Sequence, residues 1–350
     1  MGRRKSEIPQ RLLEKGICKI TMNERVDIVM ATYNGMPYIR EQLQSILWQD
    51  YPQFRLLIHD DGSTDGTVEE IRKVAERYPD KVFFIEDGIT FKDAKKNFEH
   101  LLKMTDADYI FLADQDDVWL PSKVRVMVQE IEELEKSQGE NTPILVFSDY
   151  TLINDSNYVL AKSIKDLWNI DPLNPKTVTL ELLLSRSIMP GCSIGFNRAL
   201  LDASLPIPED AVMHDGWLLL VAAGLGLIKY VPYVLILYRK HSSNLVGVKS
   251  ETCWIRVLRV FAKPIAVIKA FEKDGQASIR QANAFLFRLK SLLPPDSDVI
   301  QLVSEYLDYR SGKVKLKLFF KYAVDGYLWE LARCVLWRQG ADLSQQKKSY

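Results

Sequence analysis

Cysteine is scarce in this 350-residue chain: Cys18, Cys192, Cys253 and Cys334 are scattered, with no CxxC pair and no histidine at zinc-ligand spacing. That excludes a disulfide framework and a thiolate zinc site, and it favours reduced thiols in the cytosol. Net charge is missing as well. Forty-six basic residues balance 46 acidic ones and the pI is near 6.9, so the electrostatic footprint of a nucleic-acid binder is absent. The basic stretch Met1 to Gln10 lacks the apolar core of a signal peptide, and no apolar run reaches bilayer-spanning length. No GxGxxG follows a strand-like run, which removes the nicotinamide dehydrogenases. What remains is a chain with 47% hydrophobic and 10% aromatic residues, enough to bury a full core and to argue against long disorder.

The most informative stretch is Phe111 to Trp119. An apolar run, Tyr109 to Leu112, ends in three acids within four positions: Asp114, Asp116 and Asp117. Carboxylates this close repel one another and are costly to desolvate, so a strand end that carries them suits a cation. Oxygen-only ligands suit Mg²⁺ or Mn²⁺, which keep positions open for phosphate oxygens. A solvated acidic turn is the plain alternative for an isolated Asp-x-Asp, and context has to decide.

Residues 1–24 read as an extension, with Met22 a candidate start. From Val26 the chain alternates. Strands are expected at Val26 to Ala31, Phe54 to His59, Lys81 to Ile85 and Tyr109 to Leu112. Helices are expected between them: one from Pro37, one after Asp65 as N-cap, and one over Asn97 to Leu102. Strand–helix alternation predicts a parallel sheet with right-handed crossovers, whose ligands bind beyond the C-terminal strand ends. Asp60-Asp61 and Asp114 to Asp117 would share that edge. The segment from Asp61 resembles the start of a calcium loop, but its twelfth position is Arg72 and a strand precedes it, so calcium is rejected. Further on lie a helix from Ser122 to Leu134, a strand from Ile144 to Phe147, and a helix from Val178 to Leu184. Pro190-Gly191-Cys192-Ser193 forms a tight break. Asp215 stands at or near the N-cap of an apolar helix, where a simple cap is the plain reading. Arg239, Lys240 and His241 follow the run Tyr233 to Leu237 and would suit a diphosphate or complete a metal shell.

These pieces, in this order, resemble the family-two glycosyltransferases with the GT-A fold. The matching residues are Ile28 to Gly35, His59 to Thr67, Ala113 to Trp119, Gly191-Cys192-Ser193, His214 to Trp217 and Tyr238 to His241. The Asp-Gln-Asp-Asp-Val-Trp wording, with Asn97-Phe98 before it, is most similar to bacterial rhamnosyltransferase-type enzymes of surface-polysaccharide assembly. The resemblance implies an α/β domain over residues 25–245 with a mostly parallel central sheet, and a nucleotide-diphospho-sugar donor. It also implies a glycan or lipid-linked saccharide acceptor and a Mg²⁺ or Mn²⁺ cofactor. By position, Thr32 and Asp61 would hold the nucleobase and ribose, with Asp60 in support. Asp114 and Asp116 would meet the donor and metal, and Asp117 and His241 would join Asp116 at the metal. Asp215 would be the general base of an inverting displacement. Gly216 departs from the bulky aromatic common before the tryptophan, which puts the acceptor pocket's shape in doubt. An inactive GT-A-like scaffold is the non-enzymatic alternative. A nucleotidyltransferase is the enzymatic one, though it would want a Gly-rich basic loop where Thr32-Tyr33-Asn34-Gly35 stands.

Beyond residue 245 a helical, basic and aromatic region is expected. Trp254, Val257, Leu258, Phe261, Ile265 and Ile268 fall near one face, with a kink at Pro264. Two readings stay open. These helices pack on the rest of the chain or on a second copy in a homo-oligomer, or they lie on the anionic inner face of the plasma membrane beside a lipid-linked acceptor.

Overall fold

The computed structural model describes residues 25–164, 178–185, 189–241 and 264–310, with side chains of the last segment from 276 to 308. The first half is the expected alternation. It comprises β1 (Val26–Thr32), α1 (Ile39–Leu47), β2 (Phe54–Asp60), α2 (Thr67–Arg77), β3 (Val82–Ile85), α3 (Ala94–Met104) and β4 (Tyr109–Ala113). β1 pairs in parallel with β2 and β4, and β2 in parallel with β3. These strands are apolar runs because both faces are covered: the successive residues Ile28 and Val29, Leu56 and Leu57, and Ile110 and Phe111 are all buried.

The second half comprises β5 (Val118–Trp119), α4 (Lys123–Gln138), β6 (Ile144–Asn154), β7 (Val159–Ala161) and α5 (Leu180–Ser185). A 3₁₀ turn (Gly191–Ser193), β8 (Ile194–Asn197), α6 (Arg198–Ser204), α7 (His214–Leu225) and β9 (Leu227–Lys240) follow. The sheet runs β3-β2-β1-β4-β8-β6-β9-β5, with β7 on β6. β8 lies antiparallel between β4 and β6, while β6 and β9 are parallel.

α8 (Pro264–Leu292) and α9 (Asp298–Arg310) close the described chain. Their described part packs on the domain. Phe285 meets Trp217 edge to face at 6.0 Å, and Arg288 donates to the carbonyls of Leu205 and Pro206. The apolar face from Trp254 to Phe261 and the basic stretch beyond residue 310 lie outside the described residues. Pro264 is the first residue of α8 as described. No helix among the described residues is long and apolar enough to cross a membrane.

Three local expectations are corrected. Helix α1 begins at Ile39, not Pro37, because Met36 to Tyr38 form a turn closed by the Tyr38 amide on the Gly35 carbonyl at 3.0 Å. The N-cap of α2 is Gly66, in the left-handed conformation that glycine adopts freely. Asp65 instead joins two loops, accepting from the amides of Met36 and Thr67 at 2.9 and 3.1 Å. β9 is far longer than Tyr233 to Leu237, because it pairs with β6 from Leu227 onward.

Candidate active site

The strand register brings the first acids together. Thr32 is opposite Asp60, and Met30 is opposite Ala113, the residue before Asp114. Thr32, Asp60 and Asp114 therefore stand at the ends of three neighbouring parallel strands. Asp60 organises its loop, accepting from Thr32 Oγ1 (2.7 Å) and from the Gly62 and Ser63 amides (3.0 and 2.7 Å). Asp61 is held by the amides of Phe91 and Asp93. Asn34 links the β1 and β2 loops: its amide donates to Ser63 Oγ at 2.7 Å, and its Oδ1 accepts from the Thr64 amide at 2.9 Å. Gln115 clamps both backbone groups of Tyr33 at 2.9 Å. These hydrogen bonds tie the loops after β1, β2 and β4 to one another.

The acids after β4 divide into two sets. Asp116 pairs with His241, Oδ2 to Nε2 at 2.7 Å, and His241 stacks on Tyr38 at 4.8 Å. Asp114 and Asp117 gather with Cys192, one ligand atom from each lying within 4.8 Å of the others. Asp117 is fully buried. Its Oδ1 accepts the Arg239 amide at 2.9 Å, whereas Oδ2 has no hydrogen-bond partner. A buried carboxylate oxygen left in this condition costs free energy that a cation would recover. The group Asp114, Asp117 and Cys192 would thus fit a divalent ion through two carboxylates, with Asp116 and His241 paired beside it.

Burial, then the neighbouring Asp116 and Asp215, pushes the Asp114 carboxyl up to about 7. Burial also raises Asp117 and the Cys192 thiol, so Cys192 stays protonated. Asp215 reaches the same place. A Cβ added to Gly191 would lie 3.3 Å from Asp215 Cβ and 3.5 Å from its Oδ2, and Gly191 directly precedes Cys192. The missing side chain at Gly191 leaves room for Asp215 to approach the acids. Asp215 is not the cap of α7, since Met213 holds that position; it is the second helical residue and accepts from the Gly216 amide at 2.7 Å.

Arg239 does not face a diphosphate. Its side chain is 1% exposed and wholly engaged, donating to the Asp116 carbonyl (2.8 Å) and to Glu41 (2.6 Å) and lying over the Tyr38 ring. An inward-facing guanidinium with several acceptors is a brace for the acidic loop, and its five donors suit that task.

Two buried groups beside the acids have nitrogens without hydrogen-bond partners. His214 stacks on Phe98 at 3.9 Å with neither ring nitrogen hydrogen-bonded, and burial lowers its pKa. Lys123 is fully buried, and its Nζ, without a hydrogen-bond partner, sits 3.6 Å from the Trp119 ring centre. Burial brings the Lys123 ammonium down to about 7, against the opposing pull of Cys192, Asp117 and Asp114. Its folded pKa is depressed, so the unfolded chain binds the extra proton between that value and about 10.4. Stability therefore rises with pH across that window. Lys123→Met in the metal-free protein is expected to be more stable at neutral pH by on the order of 1–4 kcal/mol, an advantage that fades toward about pH 10. Urea denaturation across this range checks it. A less stable variant at pH 7 would mean that the ammonium's attraction to the carboxylates outweighs its desolvation.

A half-sheet of parallel strands whose C-terminal ends gather aspartates, continued by the antiparallel β8 inserted between β4 and β6, is the GT-A arrangement. The chain belongs to Glycosyl transferase family 2: the profile of that family matches residues 27–202, half of the 350 residues. It is 28% identical over 230 residues to the dTDP-rhamnosyl transferase RfbG of Shigella flexneri, covering 62% of this chain and 73% of that protein. It is 32% identical over 126 residues to EpsE of Bacillus subtilis (strain 168), covering 36% of this chain and 45% of EpsE, less than half of that relative. The crystal structure of S. aureus TarS 1–349 in complex with UDP-GlcNAc superposes with a TM-score of 0.51 at 17% identity, covering 89% of this chain and 81% of that one. At that identity the likeness shows the shared fold.

Proposed function

We propose that the chain is an inverting, metal-dependent glycosyltransferase that moves a sugar from a nucleoside-diphosphate donor to a hydroxyl of a glycan or lipid-linked saccharide. The convergence of Asp114, Asp117 and Asp215 about Gly191 and Cys192 carries this reading. Thr32 and Asp61 line the nucleoside end, where the spare lone pairs of Asp61 accept from base N–H and ribose hydroxyl groups, and Asp60, its oxygens already taken by Thr32, Gly62 and Ser63, stands in support. Asp114, Asp116, Asp117 and His241 would hold Mg²⁺ or Mn²⁺. When bound, such an ion supplies positive charge where the diphosphate leaves. Asp215 takes the proton of the acceptor hydroxyl as that oxygen attacks the anomeric carbon from the face opposite the nucleotide, which inverts the centre. RfbG is named a dTDP-rhamnosyl transferase, so dTDP-rhamnose is the first donor to test. A screen of nucleotide sugars for Mn²⁺- or Mg²⁺-dependent release of dTDP, UDP or GDP tests the reading, and release from none of them would overturn it. Asp116→Ala is expected to weaken metal-dependent donor binding by about 10- to 100-fold or more in calorimetry. Unchanged affinity would remove Asp116 from the metal set.

A further inference from the structure

On the β2–α3 side of the same sheet, three side chains from three elements meet: His59 at the end of β2, Asp87 in the loop after β3, and His100 within α3. His59 Nε2 is 3.3 Å from Asp87 Oδ1, and His100 Nε2 is 2.6 Å from Asp87 Oδ2. One ligand atom from each lies within 4.8 Å of the other two. The imidazoles meet edge to face at 5.0 Å, with Phe91 bordering both.

The hydrogen bonds around His59 fix its proton. Asn97 Nδ2 donates to the His59 carbonyl at 3.3 Å, and a carbonyl only accepts, so Asn97 Oδ1 faces His59 Nδ1 at 2.8 Å. Nδ1 therefore carries hydrogen. A neutral His59, buried at 1% exposure, then aims its Nε2 lone pair at a carboxylate oxygen that also offers only lone pairs. A cation between the two removes the conflict. The 3.3 Å separation matches the about 3.3 Å between donor atoms on a tetrahedral ion with bonds of about 2.0–2.1 Å. The Nδ1–H bond to Asn97 is the contact that metal-bound histidines make to fix tautomer and orientation. Side-chain exposures of 19% for His100 and 27% for Asp87 leave an open side for access and for a water ligand.

We propose that His59, Asp87 and His100 form a second divalent-cation site, one that takes Zn²⁺ through two imidazole nitrogens and a carboxylate. Imidazole donors suit Zn²⁺, whereas Mg²⁺ goes to the oxygen-rich set after β4. Its role is structural: Asp87 shares a loop with Phe91 and Asp93, whose amides hold Asp61. The rival account is a protonated His59 in a plain ion pair.

The test is calorimetric Zn²⁺ titration of the full chain in an Asp116→Ala background, with and without His100→Ala, and with Asp87→Asn as an independent second variant. Zn²⁺ is expected to bind Asp116→Ala and raise its Tm, and each added substitution is expected to weaken binding by about tenfold or more. Cu²⁺ electron paramagnetic resonance of Asp116→Ala should show nitrogen couplings that diminish with His100→Ala. Zn²⁺ affinity unaffected by either substitution, or no Zn²⁺ binding to Asp116→Ala, would overturn the site and leave the ion pair.

Discussion

Asp215→Asn is expected to lower kcat by about 10²- to 10⁴-fold while leaving donor affinity unchanged. That loss corresponds to about 3–5 kcal/mol of transition-state stabilisation. The substitution is nearly isosteric and keeps an Oδ1 to accept from the Gly216 amide at 2.7 Å, so α7 starts as before. What it removes is the capacity to take a proton beside Gly191. Thr32, Asp60 and Asp61, proposed to hold the nucleoside, lie at the ends of β1 and β2, on other elements, and are untouched. Stopped reactions with a competent donor, together with donor titration, read the two quantities separately. A kcat within a few-fold of the original would exclude Asp215 as the base.

Gly226→Ala is expected to destabilise the fold by at least about 3 kcal/mol. A Cβ at this position would overlap the Pro143 carbonyl oxygen and lie 2.7 Å from its carbon and 2.9 Å from Pro143 Cβ. That carbonyl cannot withdraw cheaply, because it accepts the Leu227 amide at 2.9 Å and so seats the first residue of β9 on β6. Gly226 is the single residue between α7, which carries Asp215, and β9, which leads to His241. Relief of the overlap would therefore disturb both ends of the site. Guanidinium denaturation gives the stability change. A variant within about 1 kcal/mol of the original would show that the Pro143 segment yields, contrary to its close packing.

Much of this was legible in the sequence where a local pattern has one physical reading. Apolar runs separated by helical spacing gave the parallel half of the sheet, since strands buried on both faces read as continuous Val, Ile and Leu. Acids placed directly after such runs had to lie at one edge, and Asp60, Asp114 and Asp117 do. Long-range contacts were illegible. Arg239 looked like a diphosphate ligand because its sequence neighbours are basic, but only the fold shows its head among Glu41, Asn157 and the Asp116 carbonyl. Asp65 looked like a cap because its partner Met36 is 29 residues away. Lys123 falls in the first turn of the helix expected from Ser122, with nothing local to mark it as buried, yet it lies against Trp119. His59, Asp87 and His100 have no common spacing at all.

The ladder between β6 and β9 slips in one direction. From Ser148 to Tyr150 β6 advances two residues, while its partner advances five, from Val231 to Ile236. The surplus of three is odd, and side chains along a strand alternate. Two of the extra residues, Pro232 and Tyr233, leave the phase unchanged, and the third, Leu235, sets it: with none, or with an even surplus, the face of β9 that meets Asp116 would carry the neighbours of Arg239 and His241 instead. Chain length in that short stretch is as much a determinant of the site as any carboxylate in it.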